Sequence, residues 1–202
     1  VKDAIDDIDI IIAPPYTSLA AAAEKTRNSS IRIAGQNVYF EEKGAFTGEI
    51  SAAMLIDAGC EAVIIGHSER RHILKETDDV INKKIKAALD HGLMVLFCIG
   101  ELLAEREAGK TNEVLQSQIY AGLADISAER AESIVIAYEP VWAIGTGKTA
   151  TAEVAQKAHD FIRTVLTEKY GQTAQAMRIL YGGSVTPDNV KGLMACPDID
   201  GT

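Results

Sequence analysis

The stretch "VIIGHSERR", residues Val63–Arg71, changes from apolar to polar at a single glycine. Its first three residues form a β-branched run that is typical of a buried strand. His67, Ser68 and Glu69 follow at once. The chain therefore places chemically active side chains directly after a predicted strand.

Short apolar runs alternate with longer amphipathic segments along the whole chain. Strands are predicted at Ile8 to Ala13, Ile31 to Gly35, Ala62 to Ile65, Leu93 to Cys98, Ile134 to Tyr138 and Arg178 to Tyr181, with a further one opening at Asp198 to Thr202. Helices are predicted at Ser18 to Thr26, Ile50 to Ala58, Val80 to Leu89, Val114 to Leu123 and Glu153 to Glu168, with another starting at Thr186-Pro187. This alternation predicts an α/β fold whose parallel strands are buried on both faces.

Periodicity alone does not distinguish a closed barrel from an open sheet, but the position of the polar residues does. They collect after strands, at Gln36, Asn37, His67, Ser68, Glu69, Glu101, Glu139 and Gly182-Gly183-Ser184. In a barrel the carboxyl ends of all strands meet at one mouth, whereas in an open sheet only the strands beside the switch point do so. No Gly-x-Gly-x-x-Gly follows the first strand, and no linker divides the chain. We predict a (β/α)8 TIM barrel that forms a single domain over residues 1–202.

Composition excludes several classes of function. The 202 residues carry a net charge of -9, which argues against nucleic acid because its phosphates require a basic face. Cys60, Cys98 and Cys196 are odd in number and form no Cys-x-x-Cys pattern, so a packing role in a reducing compartment is expected. The longest apolar runs are far shorter than the roughly 18 residues of a membrane span. We expect a cytoplasmic protein that binds neither nucleic acid nor membrane.

Glu139 is a candidate general base. It ends an apolar strand and precedes Pro140, whose ring biases it toward extended geometry. In an apolar pocket that can close, a carboxylate loses water and becomes more basic. A helix-capping or ion-paired glutamate is the alternative, and the residue alone leaves it open.

His67 is a candidate electrophile, because it lies between a strand end and a predicted helix start. The partial positive charge of a helix N-terminus disfavours a second positive charge, so a neutral imidazole that donates a hydrogen bond is expected. His72, His91 and His159 are interpreted as structural. Glu69 either organises the hydrogen bonds of the site or interacts with the helix dipole.

The stretch "IAYEPVWAIGTGKTA", Ile136 to Ala150, contains Gly147-Lys148-Thr149, which resembles the end of a P-loop. A P-loop also requires a glycine five residues before Gly147, so that its backbone can approach the phosphates. Trp142 occupies that position. The sequence therefore argues against a P-loop.

Six stretches, in order and at family-like spacing, resemble the triosephosphate isomerase family. They are "IIAPPYTSL", "AGQNVYFEEKGAFTGEIS", "VIIGHSERR", "FCIGE", "AYEPVWAIGTGKTA" and "ILYGGSV". Any one of them could arise by chance, but six in order could not. The resemblance implies interconversion of dihydroxyacetone phosphate and glyceraldehyde 3-phosphate through an enediolate, in glycolysis and gluconeogenesis, without metal or cofactor.

The resemblance also implies roles for particular residues. Glu139 would be the general base, His67 the electrophile and Glu69 a supporting group. Residues 141–148 would form a lid with a hinge at each end. The residues expected to bind substrate are Gly145, through its backbone N–H, with Ser184, Gly183 and Ser68.

A homodimer is implied as well. The segment Phe46-Thr47-Gly48-Glu49 lies on a long loop after the second predicted strand and resembles the family segment that reaches into the neighbouring subunit. Thr47, Glu49 and Asn37 would make the dimer contact. The alternative is an ordinary surface loop, although its length makes that less usual.

The chain departs from the family at both ends. The family begins with a strand that carries an Asn-x-Lys motif and ends with a Gly-Gly phosphate loop and a helix, and neither is present here. A typical barrel has about 250 residues, about 48 more than this chain. We expect a truncated chain with little isomerase activity by itself. An inactive fragment, a non-catalytic interaction module and another phosphate-binding barrel enzyme are the alternatives.

Overall fold

Strands and helices alternate in the computed structural model, which describes residues 8–143 and 150–202. The strands are β1 (Ile10–Ile12), β2 (Ile31–Gly35), β3 (Ala62–Ile65), β4 (Met94–Ile99), β5 (Ile134–Tyr138) and β6 (Ile179–Tyr181). The helices are α1 (Leu19–Thr26), α2 (Ala52–Asp57), α3 (Ser68–His72), α4 (Asp78–Asp90), α5 (Leu103–Glu107), α6 (Thr111–Gly122), α7 (Ala128–Ala131), α8 (Ala152–Tyr170) and α9 (Val190–Met194). The predicted α/β alternation is confirmed.

The boundaries of β2, β3 and β5 agree with the prediction, and the remaining differences have local causes. β1 is shorter than predicted, because only Ile10–Ile12 pairs with β2. The strand predicted at the end of the chain is a single bridge between Gly201 and Leu180. The sequence did not predict α5 and α7, which are too short to show a helical period.

The chain divides into two compact units. The first contains the described residues up to Ile65 together with Lys83–Leu96, and the second contains Gly66–Asn82 and Phe97–Thr202. In the first unit β1 pairs with β2, and β2 pairs with β3, all in parallel. In the second unit β5 and β6 are parallel, and the N–H of Glu139 donates to the carbonyl of Ile99 at 2.8 Å.

The apolar runs of the strands form the core, as predicted. In β3 every residue except Ile64 is buried, and in β5 every residue except Ala137 is buried. Because successive side chains of a strand point to opposite faces, burial along a run means that both faces are covered. The largest fully buried side chains are Tyr138, Tyr181, Phe97, Ile33, Leu55, Ile65, Ile81, Ile85, Leu93, Ile99, Leu115 and Ile119.

Cys60, in the first unit, and Cys98, in the second, are buried and have free thiols. Burial raises the pKa of Cys60 to about 11, and burial followed by the charge of Glu139 raises the pKa of Cys98. A thiol that resists ionisation is a poor nucleophile. The predicted packing role is confirmed for these two cysteines. Within the described residues, no helix is long and apolar enough to span a bilayer.

Helix α8 buries one face against the rest of the second unit. The Thr151 side chain caps its start by accepting from the N–H of Val154, and Gly171 ends it with a φ of 58°. The positive φ favours glycine, as the sequence indicated. The buried residues recur at helical spacing and are Ala155, Ala158, His159, Ile162, Val165, Leu166 and Tyr170.

His159 is the polar member of that face, and it is fully buried. Its Nδ1 lies 2.9 Å from the carbonyl of Asp198, which assigns the ring proton to Nδ1. Its ring packs edge-on against Tyr138 at 5.7 Å and lies 6.5 Å from Tyr181. Burial lowers the pKa of His159 to about 4, although the Asp198 carbonyl and two nearby carboxylates oppose the shift. The structural role predicted for this histidine is consistent with these contacts.

We expect His159 to make the fold sensitive to acid. Its pKa is about 6.5 in the unfolded chain and about 4 in the folded one. Its contribution is therefore complete above pH 6.5 and is lost as the pH falls from 6.5 toward 4. That loss is about 3 kcal/mol of the free energy of unfolding.

Urea unfolding of the parent and His159→Asn across this pH range tests this expectation. Asparagine keeps an N–H donor for Asp198 but does not titrate, so the stability difference between the two proteins should shrink as the pH falls. His91→Asn is the matched control, since His91 also contacts a carbonyl, at 2.9 Å, but is only partly buried. A stability difference between the parent and His159→Asn that stays constant with pH would contradict the lowered pKa of His159.

Candidate active site

Glu139 follows β5 directly, and its carboxylate is nearly buried, with 5% of the residue exposed. Its Oε1 lies 2.9 Å from Nε2 of His67. Its Oε2 accepts from the backbone N–H of Ser68 at 2.9 Å. The structure therefore brings together three sequence-predicted site residues that follow two different strands.

His67 occupies the cap position of α3. Its Nδ1 accepts from the N–H of Glu69 at 3.4 Å, which leaves the proton of a neutral ring on Nε2. Nε2 then donates to Glu139. The Glu69 carboxylate lies 3.7 Å from Nδ1, with 73% of its side chain exposed. The backbone of Glu69 thus orients the ring, while its carboxylate remains largely in solvent.

The pKa of His67 shifts in the direction opposite to the one expected from the helix start. The hydrogen bond with Glu139 is the main cause that raises the pKa of His67, and burial opposes it. The nearby charges of Glu139 and Glu69 add to the increase. α3 is only five residues long, so its dipole is weak. In this state the carboxylate, rather than the helix, dominates the titration of the ring.

Two glycines allow Glu139 to pack closely. A Cβ at Gly100 would overlap the backbone carbonyl of Glu139, and a Cβ at Gly182 would lie 3.1 Å from its Cγ. Gln118 holds Gly100 in place, because its Oε1 accepts from the Gly100 N–H at 2.8 Å and its Nε2 donates to the carbonyl at 3.2 Å. Any side chain at Gly100 would displace the backbone of the carboxylate.

Glu101 forms a second polar cluster beside the site. It is fully buried and accepts from the Tyr138 hydroxyl at 3.1 Å and from Trp142 Nε1 at 2.9 Å. Arg106 lies 3.2 Å from its carboxylate and stacks 4.4 Å from the Trp142 ring. Burial, followed by the charge of Glu101, raises the pKa of Tyr138, so its hydroxyl stays a donor. The cluster fixes Trp142 where the predicted lid begins.

The Gly-Gly-Ser turn follows β6 in the same unit. The N–H of Gly182 donates to the carbonyl of Tyr138 at 2.8 Å, and Ser184 is exposed. The side chain of Asn189 donates to the Ser184 carbonyl at 3.1 Å. Asn189 also exchanges hydrogen bonds with Thr186. The helix predicted to start at Thr186 begins at α9, because the intervening residues form a turn that this exchange closes.

The other predicted residues lie elsewhere. Gly145 and the rest of the predicted lid tip are outside the described residues. Thr47 and Glu49 are exposed in the first unit, on the long loop after β2. Asn37 is buried in that unit, where its side chain accepts from Lys84 Nζ at 2.8 Å.

Sequence reasoning missed Gln118 and Arg71. Gln118 lies on the buried side of α6, and a polar residue on an otherwise apolar face was the available signal. Arg71 belongs to the quoted "SERR" motif, but only the structure shows its side chain in contact with the carbonyls of Gly66 and Cys98. In the part of the chain that the structure describes, no group of His, Cys, Asp and Glu side chains could hold a metal ion.

Fold and site together define an α/β protein with a carboxylate–imidazole pair at the ends of parallel strands. Such a pair is suited to moving a proton to or from a bound substrate. A family model described as triosephosphate isomerase matches residues 1–202. The chain belongs to the triosephosphate isomerase family.

Curated relatives agree with this assignment. The triosephosphate isomerase of Geobacter metallireducens is 60% identical over 196 residues, which cover 96% of this chain and 78% of the relative. The triosephosphate isomerase of Syntrophotalea carbinolica is 55% identical over 204 residues, covering 99% and 81%. That of Trichlorobacter lovleyi is 54% identical over 198 residues, covering 98% and 79%. The α/β fold predicted from the sequence is the fold of this family.

We expect Glu139→Gln to lower the pKa of His67 in the free protein. The substitution removes the charged hydrogen-bond partner that most raises this pKa and leaves the opposing effect of burial. The measurement is an NMR titration of the His67 ring. Glu69→Gln is the control and should lower the pKa much less, because its charge is the smallest contribution. An unchanged pKa in Glu139→Gln would show that the contact does not control the ring.

Proposed function

We propose that this protein interconverts dihydroxyacetone phosphate and glyceraldehyde 3-phosphate. The observation that carries the proposal is the 2.9 Å contact between Glu139 and His67 in a chain of the triosephosphate isomerase family. The reaction moves protons between two adjacent carbons and their oxygens. It therefore needs a base, a hydrogen-bond donor and protection from water, and no oxidant or reductant.

In the proposed mechanism Glu139 removes a proton from C1 of dihydroxyacetone phosphate. The electrons of that C–H bond form the C1–C2 double bond, and the C2 carbonyl oxygen takes up negative charge. Nε2–H of His67 donates its proton to this oxygen, and Nε2 then takes up the hydroxyl proton from the oxygen on C1, so negative charge is stabilised at both positions and the ring ends with its proton restored. Glu139 returns the proton to C2, which yields glyceraldehyde 3-phosphate. Glu69 supports this role by orienting the His67 ring through its backbone N–H.

Substrate binding must separate the two catalytic groups. At 2.9 Å the Glu139 carboxylate and the His67 ring leave no room for a carbon atom between them. The carboxylate also has to give up the N–H of Ser68. Hydrogen bonds to charged groups contribute about 1.5–3 kcal/mol each, so substrate contacts must replace this stabilisation. Loss of these donors makes a carboxylate a stronger base where the substrate needs one. The Ser68 N–H is then available to the substrate.

The phosphate group is assigned to the turn after β6. Gly183 has room for no side chain, because a Cβ there would overlap the Tyr181 hydroxyl. The backbone can therefore approach an anion closely. Ser184 is exposed and adds a donor, and the N–H of Gly145 is proposed to complete the phosphate contacts from the lid.

The lid is proposed to span residues 141–148 and to close over the substrate. Its start is anchored, because Trp142 donates to the buried Glu101 and stacks on Arg106. Glycines beyond this anchored start give the segment the backbone freedom that a moving lid requires. Closure would exclude water, which otherwise promotes loss of phosphate from the enediolate.

We further propose a cytoplasmic homodimer whose contacts include Thr47, Glu49 and Asn37. The loop that carries them is held at its base by the N–H of Tyr39, which donates to the carbonyl of Ile50 at 2.7 Å. Its exposed tip is thereby presented at a defined place on the first unit. No cofactor enters the proposed reaction.

Glu139→Asp is expected to lower kcat of the full-length protein by about a hundredfold, with a smaller change in KM. The shorter side chain withdraws the base by about 1 Å, and misplacement on this scale costs about that factor. A coupled assay in each direction measures the effect. Glu107→Asp, the same change at an exposed position in the same unit, should retain full activity. Equal kcat for parent and Glu139→Asp would remove Glu139 from the role of base.

Deletion of Ile144 to Gly147 tests the lid. We expect weaker binding of the phosphorylated substrate and more methylglyoxal per turnover, because an unprotected enediolate expels phosphate. Methylglyoxal is quantified alongside isomerised product in the parent and in the deletion variant. Slower isomerisation without extra methylglyoxal would refute the sheltering role.

A further inference from the structure

We propose that Arg71 is a positioning residue for His67, an inference that rests on the proposed catalytic role of His67. Arg71 lies one helical turn after His67 on α3, and only 8% of its side chain is exposed. It does not contact Glu139. Its effect on the reaction is exerted through the backbone that carries the imidazole.

Arg71 holds the peptide groups on both sides of His67. Its backbone N–H donates to the carbonyl of His67 at 3.1 Å, and its Nε donates to the carbonyl of Gly66 at 2.7 Å. These two carbonyls belong to the two peptide units that meet at the His67 α-carbon. The backbone of residue 71 thus restrains the peptide after His67, while the Arg71 side chain restrains the peptide before it and so helps to set the direction in which the ring leaves the chain.

The guanidinium group is itself fixed by the surrounding structure. Nη1 pairs with Asp78 at 2.6 Å, and Nη2 donates to the carbonyl of Cys98 at 3.2 Å. The group also lies 5.8 Å from the centre of the Phe97 ring. Arg71 therefore connects the residue after β3 to the end of β4. Lysine cannot reproduce this arrangement, because an ammonium lacks the planar fork of donors.

Gly66 fits the same interpretation. It has a φ of 79°, and a Cβ at this position would lie 3.0 Å from the Cys98 carbonyl and 3.1 Å from Nη2 of Arg71. The guanidinium thus approaches the backbone at a site where only glycine is free of strain. The close approach gives Arg71 direct control over the peptide that precedes His67.

Arg163 provides a matched control in the same unit. It is a mostly buried arginine with 13% side-chain exposure, it donates to the carbonyls of Ala174 and Met177, and it pairs with Asp200 at 2.6 Å. Arg163→Lys therefore removes a comparable set of contacts from a helix that does not carry His67. A purely structural role predicts similar consequences for Arg71→Lys and Arg163→Lys.

The experiment compares both variants with the parent in the full-length protein. The ring signal of His67 is identified in NMR spectra by its loss in His67→Gln, and its titration is followed together with kcat, KM and Tm. For Arg71→Lys we expect a displaced His67 signal and a kcat lowered about ten- to a hundredfold. KM should stay within about threefold, because the lost interaction acts on the transition state. Arg163→Lys should lower Tm but leave the His67 signal and kcat near the parent values.

Two results would overturn the inference: an unchanged His67 signal in Arg71→Lys, or an equal loss of kcat in Arg163→Lys. If Arg71→Lys does not fold, Asp78→Ala serves instead, since it releases Nη1 and leaves the guanidinium in place. It should displace the same signal by less, and an unchanged signal again overturns the inference. If the parent has no isomerase activity, the proposed function is wrong. The inference about Arg71 is still tested in that case, because the His67 signal reports whether Arg71 positions the ring.

Discussion

The site depends on one constraint, which is that the carboxylate of Glu139 is nearly buried and must therefore be hydrogen-bonded. An ionised group removed from water is costly unless donors compensate it. Here the backbone N–H of Ser68 and Nε2 of His67 supply them, each at 2.9 Å. Both donors come from one short segment, His67 and Ser68, so this segment has to lie against the end of β5 within the second unit. The geometry of the site follows from that requirement.

Close backbone packing makes this arrangement possible. Gly100 and Gly182 lie against Glu139, where a Cβ would collide with its carbonyl or crowd its side chain. Gln118 then satisfies both polar groups of the Gly100 backbone from the interior side. A reactive carboxylate is thus surrounded by backbone whose own hydrogen bonds are already made. Such an environment is rigid and has low polarity, and both properties favour proton transfer at a fixed distance.

Charges near the site occur in compensated groups, although the chain as a whole is acidic with a net charge of -9. Arg71 is paired with Asp78, and Arg106 with Glu101. Arg71 also donates to the backbone carbonyl of Gly66, and Arg106 also stacks on the Trp142 ring. These pairs act mainly through geometry, since the desolvation cost of a buried ion pair offsets much of its attraction.

The sequence by itself determined the α/β alternation, the limits of β2, β3 and β5, the family, and Glu139 and His67 as candidate groups. These features depend on local patterns, because the apolar run of a buried strand and the residues of a motif are adjacent in the sequence. The tertiary structure alone decided that Glu139 touches His67, that this contact raises the pKa of the ring, and that Gln118 and Arg71 hold the surrounding backbone. Their partners lie on other elements, and no local pattern states which side chain will reach which carbonyl. β1 is shorter than its apolar run for a related reason, since only Ile10–Ile12 pairs with β2 and the run alone does not state which of its residues find a partner.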